Sequence, residues 1–277
     1  MNKLGTFLGR LSEEPPFRLL TKALVKRLPC SIATKAKWEV ASRPNYLEGV
    51  LAAANHAIRE GVGAISVYEF GVAGGNGLLA LGEIAEAVQK ETKVRIHVYG
   101  FDLGTGLPPI NGDFRNHPDQ WMPGDYPMKV AELRSRLKPN TTLIIGDISD
   151  TLPAHIRSKP DPIGFVSVDV DLYSSATDVL FMFRMPGRRM LRRTFMYFDD
   201  IDFTFNHRFA GEFLAIDEFN AACDTVKIDR WYGIQKLRPF PESPWLHKMY
   251  IAHDLVALSQ VRPERQVSHY CSLNATH

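Results

Sequence analysis

The chain has 277 residues, with 33 Lys and Arg against 31 Asp and Glu and a formal net charge of +2. Hydrophobic residues make up 45% and charged residues 23%, an ordinary globular mixture that excludes a disordered, fibrous or collagen-like chain and fits one large α/β domain with an accessory segment. The charge balance leaves no general footprint for nucleic acid, and no apolar run reaches the roughly 18–20 residues of a membrane span, so neither is an expected partner. Cys30, Cys223 and Cys271 show no CxxC or metal-type spacing, which supports neither a disulfide framework nor a zinc site and fits reduced thiols in the cytoplasm.

Residues 1–45 form a basic segment, carrying Lys3, Arg10, Arg18, Lys22, Lys26 and Arg27. After Pro15-Pro16, the residues Leu19, Leu20, Ala23, Leu24 and Leu28 recur at helical spacing and predict an amphipathic helix. Such a helical cap either lies over a cleft or packs, solvated, on the main domain. Residues 46–258 read as one domain. A helix is expected near Tyr46 to Arg59, a strand over Ala64 to Phe70, a glycine-rich turn and a helix from Gly77 to Lys90. Further strands are expected at Arg95 to Phe101, Thr142 to Ile145, Ile163 to Val170 and Thr194 to Phe198, then an antiparallel pair at Trp231 to Leu237 and Leu246 to Ala252. Strands alternating with helices imply a doubly wound, Rossmann-like, mostly parallel sheet, here of seven strands with an antiparallel C-terminal strand, whose ligand crevice lies at the strands' carboxyl ends. The stretch 104–129, rich in Gly and Pro and holding Trp121 and Tyr126, suits an insertion or lid, and residues 259–277 read as a tail.

The strand tips carry the chemistry. The first ends Glu69-Phe70-Gly71-Val72-Ala73-Gly74-Gly75-Asn76-Gly77, a carboxylate followed by glycines that let the backbone approach a ligand. Gly75 to Ala80 also fits G-x-G-x-x-A, but a dinucleotide fingerprint begins directly after its strand, where Gly71 stands without completing the pattern. The second strand ends at Asp102, placed to accept both hydroxyls of a ribose, and the third at Asp147, placed for the amino edge of a purine. Three successive acidic tips describe a nucleoside pocket.

Those residues resemble the class I S-adenosylmethionine-dependent methyltransferases, in which an acidic, glycine-rich loop cradles the methionine part and a second-strand acid holds the ribose. The resemblance covers about Tyr46 to Ala252 and implies S-adenosylmethionine as cofactor, bound by Glu69, Gly71, Gly75, Asp102 and Asp147.

A second constellation lies at Val168-Asp169-Val170-Asp171-Leu172-Tyr173 and Tyr197-Phe198-Asp199-Asp200. Four carboxylates on one crevice edge repel one another unless a cation neutralises them, and an all-oxygen set suits Mg2+ or a similar hard ion. This arrangement is similar to the macrocin-type (TylF-like) sugar O-methyltransferases of natural-product biosynthesis. The resemblance implies Asp169, Asp199 and Asp200 as metal ligands, Asp171 as general base, and a sugar or glycosylated small molecule as the hydroxylated acceptor, with self-association left open. His207, in the loop after the Asp pair, is a second catalytic candidate as orienter or proton relay. Two other readings are a catechol-type O-methyltransferase, from which Asp199-Asp200 and Leu172-Tyr173 depart, and a non-catalytic S-adenosylmethionine-binding protein, against which the retained aspartates speak.

Overall fold

The computed structural model describes residues 14–261 apart from residues 16 and 111, so Lys3, Arg10, Cys271 and most of the expected tail lie outside the described residues. Two short helices, α1 (Phe17–Arg27) and α2 (Ile32–Lys37), precede the main domain. Helix α3 (Pro44–Glu60) begins with a proline, whose fixed φ suits the first helical position, and stops at Gly61 in the left-handed region at φ 70°. There follow β1 (Ala64–Phe70), α4 (Asn76–Thr92), β2 (Arg95–Asp102), α5 (Val130–Arg136), β3 (Thr141–Ile145), α6 (Ile148–Arg157), β4 (Ile163–Val168), α7 (Tyr173–Phe181) and β5 (Met190–Phe198). Helix α8 (Gly211–Ala222), β6 (Val226–Arg230), β7 (Met249–Asp254) and α9 (Leu255–Ser259) complete the described chain.

The seven strands make one sheet in the order β3-β2-β1-β4-β5-β7-β6. The first five are parallel and β7 runs antiparallel between β5 and β6. Every residue of β1 and β4 is buried, as central strands covered on both faces must be. Alternation sorts their side chains: Ile65 and Val67 face a core with α3 and α4, whereas Tyr68 and Phe70 face a second core with α6, α7 and α8. The chain leaves β1 towards β2 on one side and reaches β4 on the other, so the strand order reverses between β1 and β4. The carboxyl ends of those strands therefore splay apart into a crevice.

Two expectations need correction. Residues Trp231 to Leu237 are not a strand: the edge strand is Val226–Arg230, and the chain turns at Gly233, φ 80°, into a short 3-10 turn over Ile234–Leu237. Helix α1 forms as expected, but its apolar stripe faces outward, with Leu19, Leu20, Leu24 and Leu28 all exposed. Arg18 and Lys22 instead lie over the Phe240 ring at 5.3 and 4.7 Å, and Val25 is the buried residue of the helix. No residue of α1 or α2 lines the crevice.

Candidate active site

The crevice is a cleft of about 650 Å³, a size ordinary for a small-molecule site. Its floor begins with Glu69, the penultimate residue of β1, whose alternation points it to the α3 face. There Tyr46 donates a hydrogen bond from its hydroxyl to Glu69 Oε1 at 2.7 Å and accepts one from Ser167 at 3.1 Å. Burial pushes the Glu69 carboxyl up to about 8 despite the downward pull of Tyr46. Its other oxygen, Oε2, is buried without a protein partner although the residue lines the cleft. The glycine loop is sterically required. Gly71 has φ 82°, and a Cβ there would stand 1.7 Å from the Asp169 carbonyl oxygen, while one at Gly77 would stand 1.9 Å from Glu69 Oε1.

Asp102, at the tip of β2, fixes that loop. Its Oδ2 accepts from the backbone N–H groups of Val72 and Ala73, both at 2.8 Å, and its Oδ1 accepts from Gly104 N–H at 2.6 Å. An oxygen with two lone pairs and two donors is saturated, so Oδ1 alone keeps a position for a ligand hydroxyl, one rather than the expected two. Asp147 lines the cleft but caps α6, its Oδ1 accepting from Ser149 N–H at 2.8 Å and Ser149 hydroxyl at 2.7 Å. Its Oδ2 remains open to a ligand.

The four aspartates of the second constellation line the same cleft. Asp169 follows β4 directly. Asp171 sits at φ 59°, a left-handed conformation that aspartate tolerates better than most residues, and its N–H donates to Asp200 Oδ2 at 3.1 Å. Asp199 and Asp200 follow β5. The antiparallel register that sets Met249 opposite Tyr197 brings Lys248 alongside, where its Nζ donates to the Asp199 carbonyl at 2.6 Å and pairs with Asp202 at 2.7 Å. One carboxylate oxygen from each of Asp169, Asp199 and Asp200 lies within 4.8 Å of the others. Ligands of one Mg2+ at 2.0–2.1 Å stand at most about 4.2 Å apart, so a small inward turn of these side chains completes a hard-cation site and the donor set fits one. Burial, then the charges of Asp199 and Asp200, push Asp169 well above the ordinary carboxylate range. Burial, then Asp200 and Asp199, push Asp171 up to about 8, and burial, then Asp199, push Asp200 up to about 6.

Residues 104–129 wall the cleft with Leu107, Trp121, Asp125 and Tyr126. The segment is stitched to itself by the Leu107 N–H, which donates to the Asp125 carbonyl at 2.9 Å, and the Gly124 N–H, which donates to the Leu107 carbonyl at 2.8 Å, and to α7 through Asn116, whose Oδ1 accepts from Ser174 N–H at 2.9 Å. It also packs on the loop after β5 through a run of rings. Trp121 meets Phe203 at 5.5 Å, Phe203 meets His117 at 4.9 Å, and His117 meets His207 at 5.1 Å. His207 is exposed, accepts from Phe209 N–H at 3.3 Å and does not line the cleft, so the structure sets it apart from the four aspartates.

Sequence reasoning passed over Arg43, which lines the cleft, and Glu212, whose fully buried carboxylate accepts from Asp200 N–H at 3.0 Å. Burial, then Asp200 and Asp169, hold Glu212 well above the usual range. An acid in the first turn of a helix reads as a dipole partner, and nothing in its spacing marks it as the support of Asp200. Arg43 closes a basic run in which charge alone singles out no member.

No family model and no curated protein sequence matches the chain. Among solved structures, the O-methyltransferase NovP superposes with a TM-score of 0.50 at 17% identity, over 76% of this chain and 79% of its own. CalS11, a TDP-rhamnose 3'-O-methyltransferase of calicheamicin biosynthesis, gives a TM-score of 0.43 at 22% identity, over 68% of this chain and 74% of its own. At such identities the NovP likeness speaks for the fold, and that fold, five parallel strands closed by an antiparallel pair, is the Rossmann-like fold of the class I S-adenosylmethionine-dependent methyltransferases.

Proposed function

We propose that the chain is an S-adenosylmethionine-dependent O-methyltransferase that methylates a hydroxyl of a sugar or glycosylated small molecule with the help of a divalent cation. The observation that carries this reading is one cleft shared by two unlike halves. Glu69, the glycine loop, Asp102 and Asp147 line one half, and Asp169, Asp171, Asp199 and Asp200 line the other. A nucleoside ligand in the first half brings its reactive end towards the second, because Gly71 packs against the Asp169 backbone.

Methyl transfer from a sulfonium is a direct displacement, so the protein's work is alignment and water exclusion, worth roughly 7–11 kcal/mol in favourable systems. Asp102 Oδ1 takes a ribose hydroxyl, Asp147 Oδ2 reaches the base, and Trp121 and Tyr126 shield the acceptor side. Asp169, Asp199 and Asp200 would hold the cation, which supplies Lewis acidity at the acceptor hydroxyl. Asp171 takes the acceptor's proton. Its buried position beside Asp200 makes it a stronger base than an exposed aspartate, which the weakly acidic sugar hydroxyl demands. His207, outside the cleft lining, has no part in this route.

Two measurements test the reading. Calorimetry in EDTA is expected to show S-adenosylhomocysteine binding, since its contacts are separate from the aspartate cluster; absence of binding removes the methyltransferase assignment. A labelled-methyl screen over glycosides and catechols is expected to give transfer to a glycoside that stops in EDTA and returns with Mg2+. Undiminished turnover in EDTA removes the cation, and transfer confined to catechols replaces the acceptor class.

A further inference from the structure

Helix α1 is amphipathic in the opposite sense to an ordinary surface helix, which turns its apolar stripe to the core and its charges to water. Here Arg18 and Lys22 face the body of the protein. Arg18 pairs with Glu242 at 2.8 Å and donates to the Pro239 carbonyl at 3.3 Å, and both cations lie over the Phe240 ring. Val25 packs on the same side with Trp38 and Phe240, so the rotation of the helix is fixed. Leu19, Leu20, Leu24 and Leu28 consequently stand 50–63% exposed, and Phe17 opens the stripe at 45%. Lys26 and Arg27, exposed in the last turn, border the leucines. Positive charge is concentrated in the same place. The first 37 residues carry eight Lys and Arg against Glu13 and Glu14, whereas the whole chain is only +2, so the rest of the molecule is net acidic.

We propose that α1 is an interfacial helix that docks the protein on an anionic lipid surface, with Leu20, Leu24 and Leu28, spaced four apart, entering the headgroup boundary while Lys26 and Arg27 meet lipid phosphates. An occupant of this face has to match two features at once, an uncovered row of large apolar side chains and a local excess of positive charge, and an anionic bilayer matches both. A second copy of the chain would cover the leucines but set two basic segments face to face, a like-charge contact that costs affinity. A protein partner would need a groove shaped to one convex helix that is held from behind, whereas lipid deforms around it. No span is required: among the described residues no helix is long and apolar enough to cross a membrane, and an interfacial helix lies in the plane of the surface. Because no residue of α1 lines the crevice, the proposal stands independently of the methyltransferase reading.

The test is co-sedimentation of the full chain with phosphatidylcholine vesicles and with vesicles that also contain phosphatidylglycerol. Binding to the anionic vesicles is expected to be at least about tenfold tighter than to the neutral ones and to weaken as salt is raised. Leu20→Ser with Leu24→Ser keeps every charge, and Lys26→Gln with Arg27→Gln keeps every leucine; each pair is expected to weaken binding about tenfold or more. Near-ultraviolet circular dichroism matching the wild type reports that each variant is folded. A wild-type chain that stays in solution with anionic vesicles overturns the proposal. So does a leucine variant that binds them as tightly as the wild type, because adsorption by charge alone needs no apolar stripe. A wild-type dimer in sedimentation velocity that the leucine variant makes monomeric, without vesicle binding, assigns the face to a second copy instead.

Discussion

Asp199 is held from three sides before any ligand arrives. The Tyr197 hydroxyl donates to its Oδ1 at 2.5 Å, the Lys248 ammonium lies 3.6 Å from the same oxygen, and its backbone N–H donates to the Val168 carbonyl at 3.0 Å. Such support fixes the carboxylate's direction, which matters more for a metal ligand than its charge alone. Asp199→Ala removes one of three candidate ligands and orphans the Tyr197 hydroxyl, but touches nothing at Glu69 or Asp102. Turnover is therefore expected to fall by more than about a hundredfold, roughly 2.7 kcal/mol of transition-state stabilisation, while S-adenosylhomocysteine affinity stays within a few fold. Steady-state kinetics and calorimetry on the same preparation check this; an equal loss in both would mean that the two halves of the cleft are one structural unit.

At the scale of elements, the parts with a clear period were legible and the parts held by ring contacts were not. The apolar run of Ala64 to Phe70 marks a strand buried on both faces, and Pro44 and Gly61 punctuate α3 where the sequence places them. The acidic strand tips were legible for the same reason, since each stands at or just beyond the end of a strand and shortly before a turn. Strand β6 was hidden because its five residues alternate only Val226 and Ile228 against polar neighbours, while the adjacent Trp231 to Leu237 looked more apolar. Its outer edge at Ile228 is satisfied by Asn220, whose amide donates to the carbonyl at 2.7 Å and accepts from the N–H at 2.8 Å, a contact no pattern announces. The junction between residues 104–129 and the loop after β5 was equally unreadable, because Trp121, His117, Phe203 and His207 come from aperiodic segments. That junction predicts coupling. In a double-mutant cycle of Trp121→Ala and Phe203→Ala, the stability losses should be less than additive by about 0.5–1.5 kcal/mol, as expected for an edge-on aromatic pair. Denaturant unfolding measures it, and additivity within about 0.3 kcal/mol would show that the two loops stand independently.

For the whole molecule, the sheet brings more buried acid to one edge than water would tolerate, and the consequence is a stability that depends on pH in two opposed stages. Burial lowers His56 and His155 to about 4, so between pH 4 and 6.5 the unfolded chain binds the extra protons and the histidines make stability rise with pH. Burial raises Glu69 and Asp171 to about 8, so above the ordinary carboxylate range the folded chain holds protons that the unfolded one has released. That contribution is complete at acid pH and is lost as pH climbs through 8. Between pH 6.5 and 8 the histidines no longer oppose it, and each such carboxyl forfeits on the order of 1–2 kcal/mol. The melting temperature in EDTA is therefore expected to fall by several degrees from pH 6.5 to 8, with a shallower fall in Glu69→Gln. A divalent cation bound only by the folded chain competes with protons for the aspartates, so its stabilisation should be greater at pH 8 than at pH 6.5, flattening the same curve in Mg2+. Thermal melts at the two pH values with EDTA and with Mg2+ test both parts. A melting temperature in EDTA that holds or rises between them would mean that the carboxyl-bearing cleft is hydrated enough to ionise freely, and a Mg2+ effect that is the same at both would place the cation away from the aspartates.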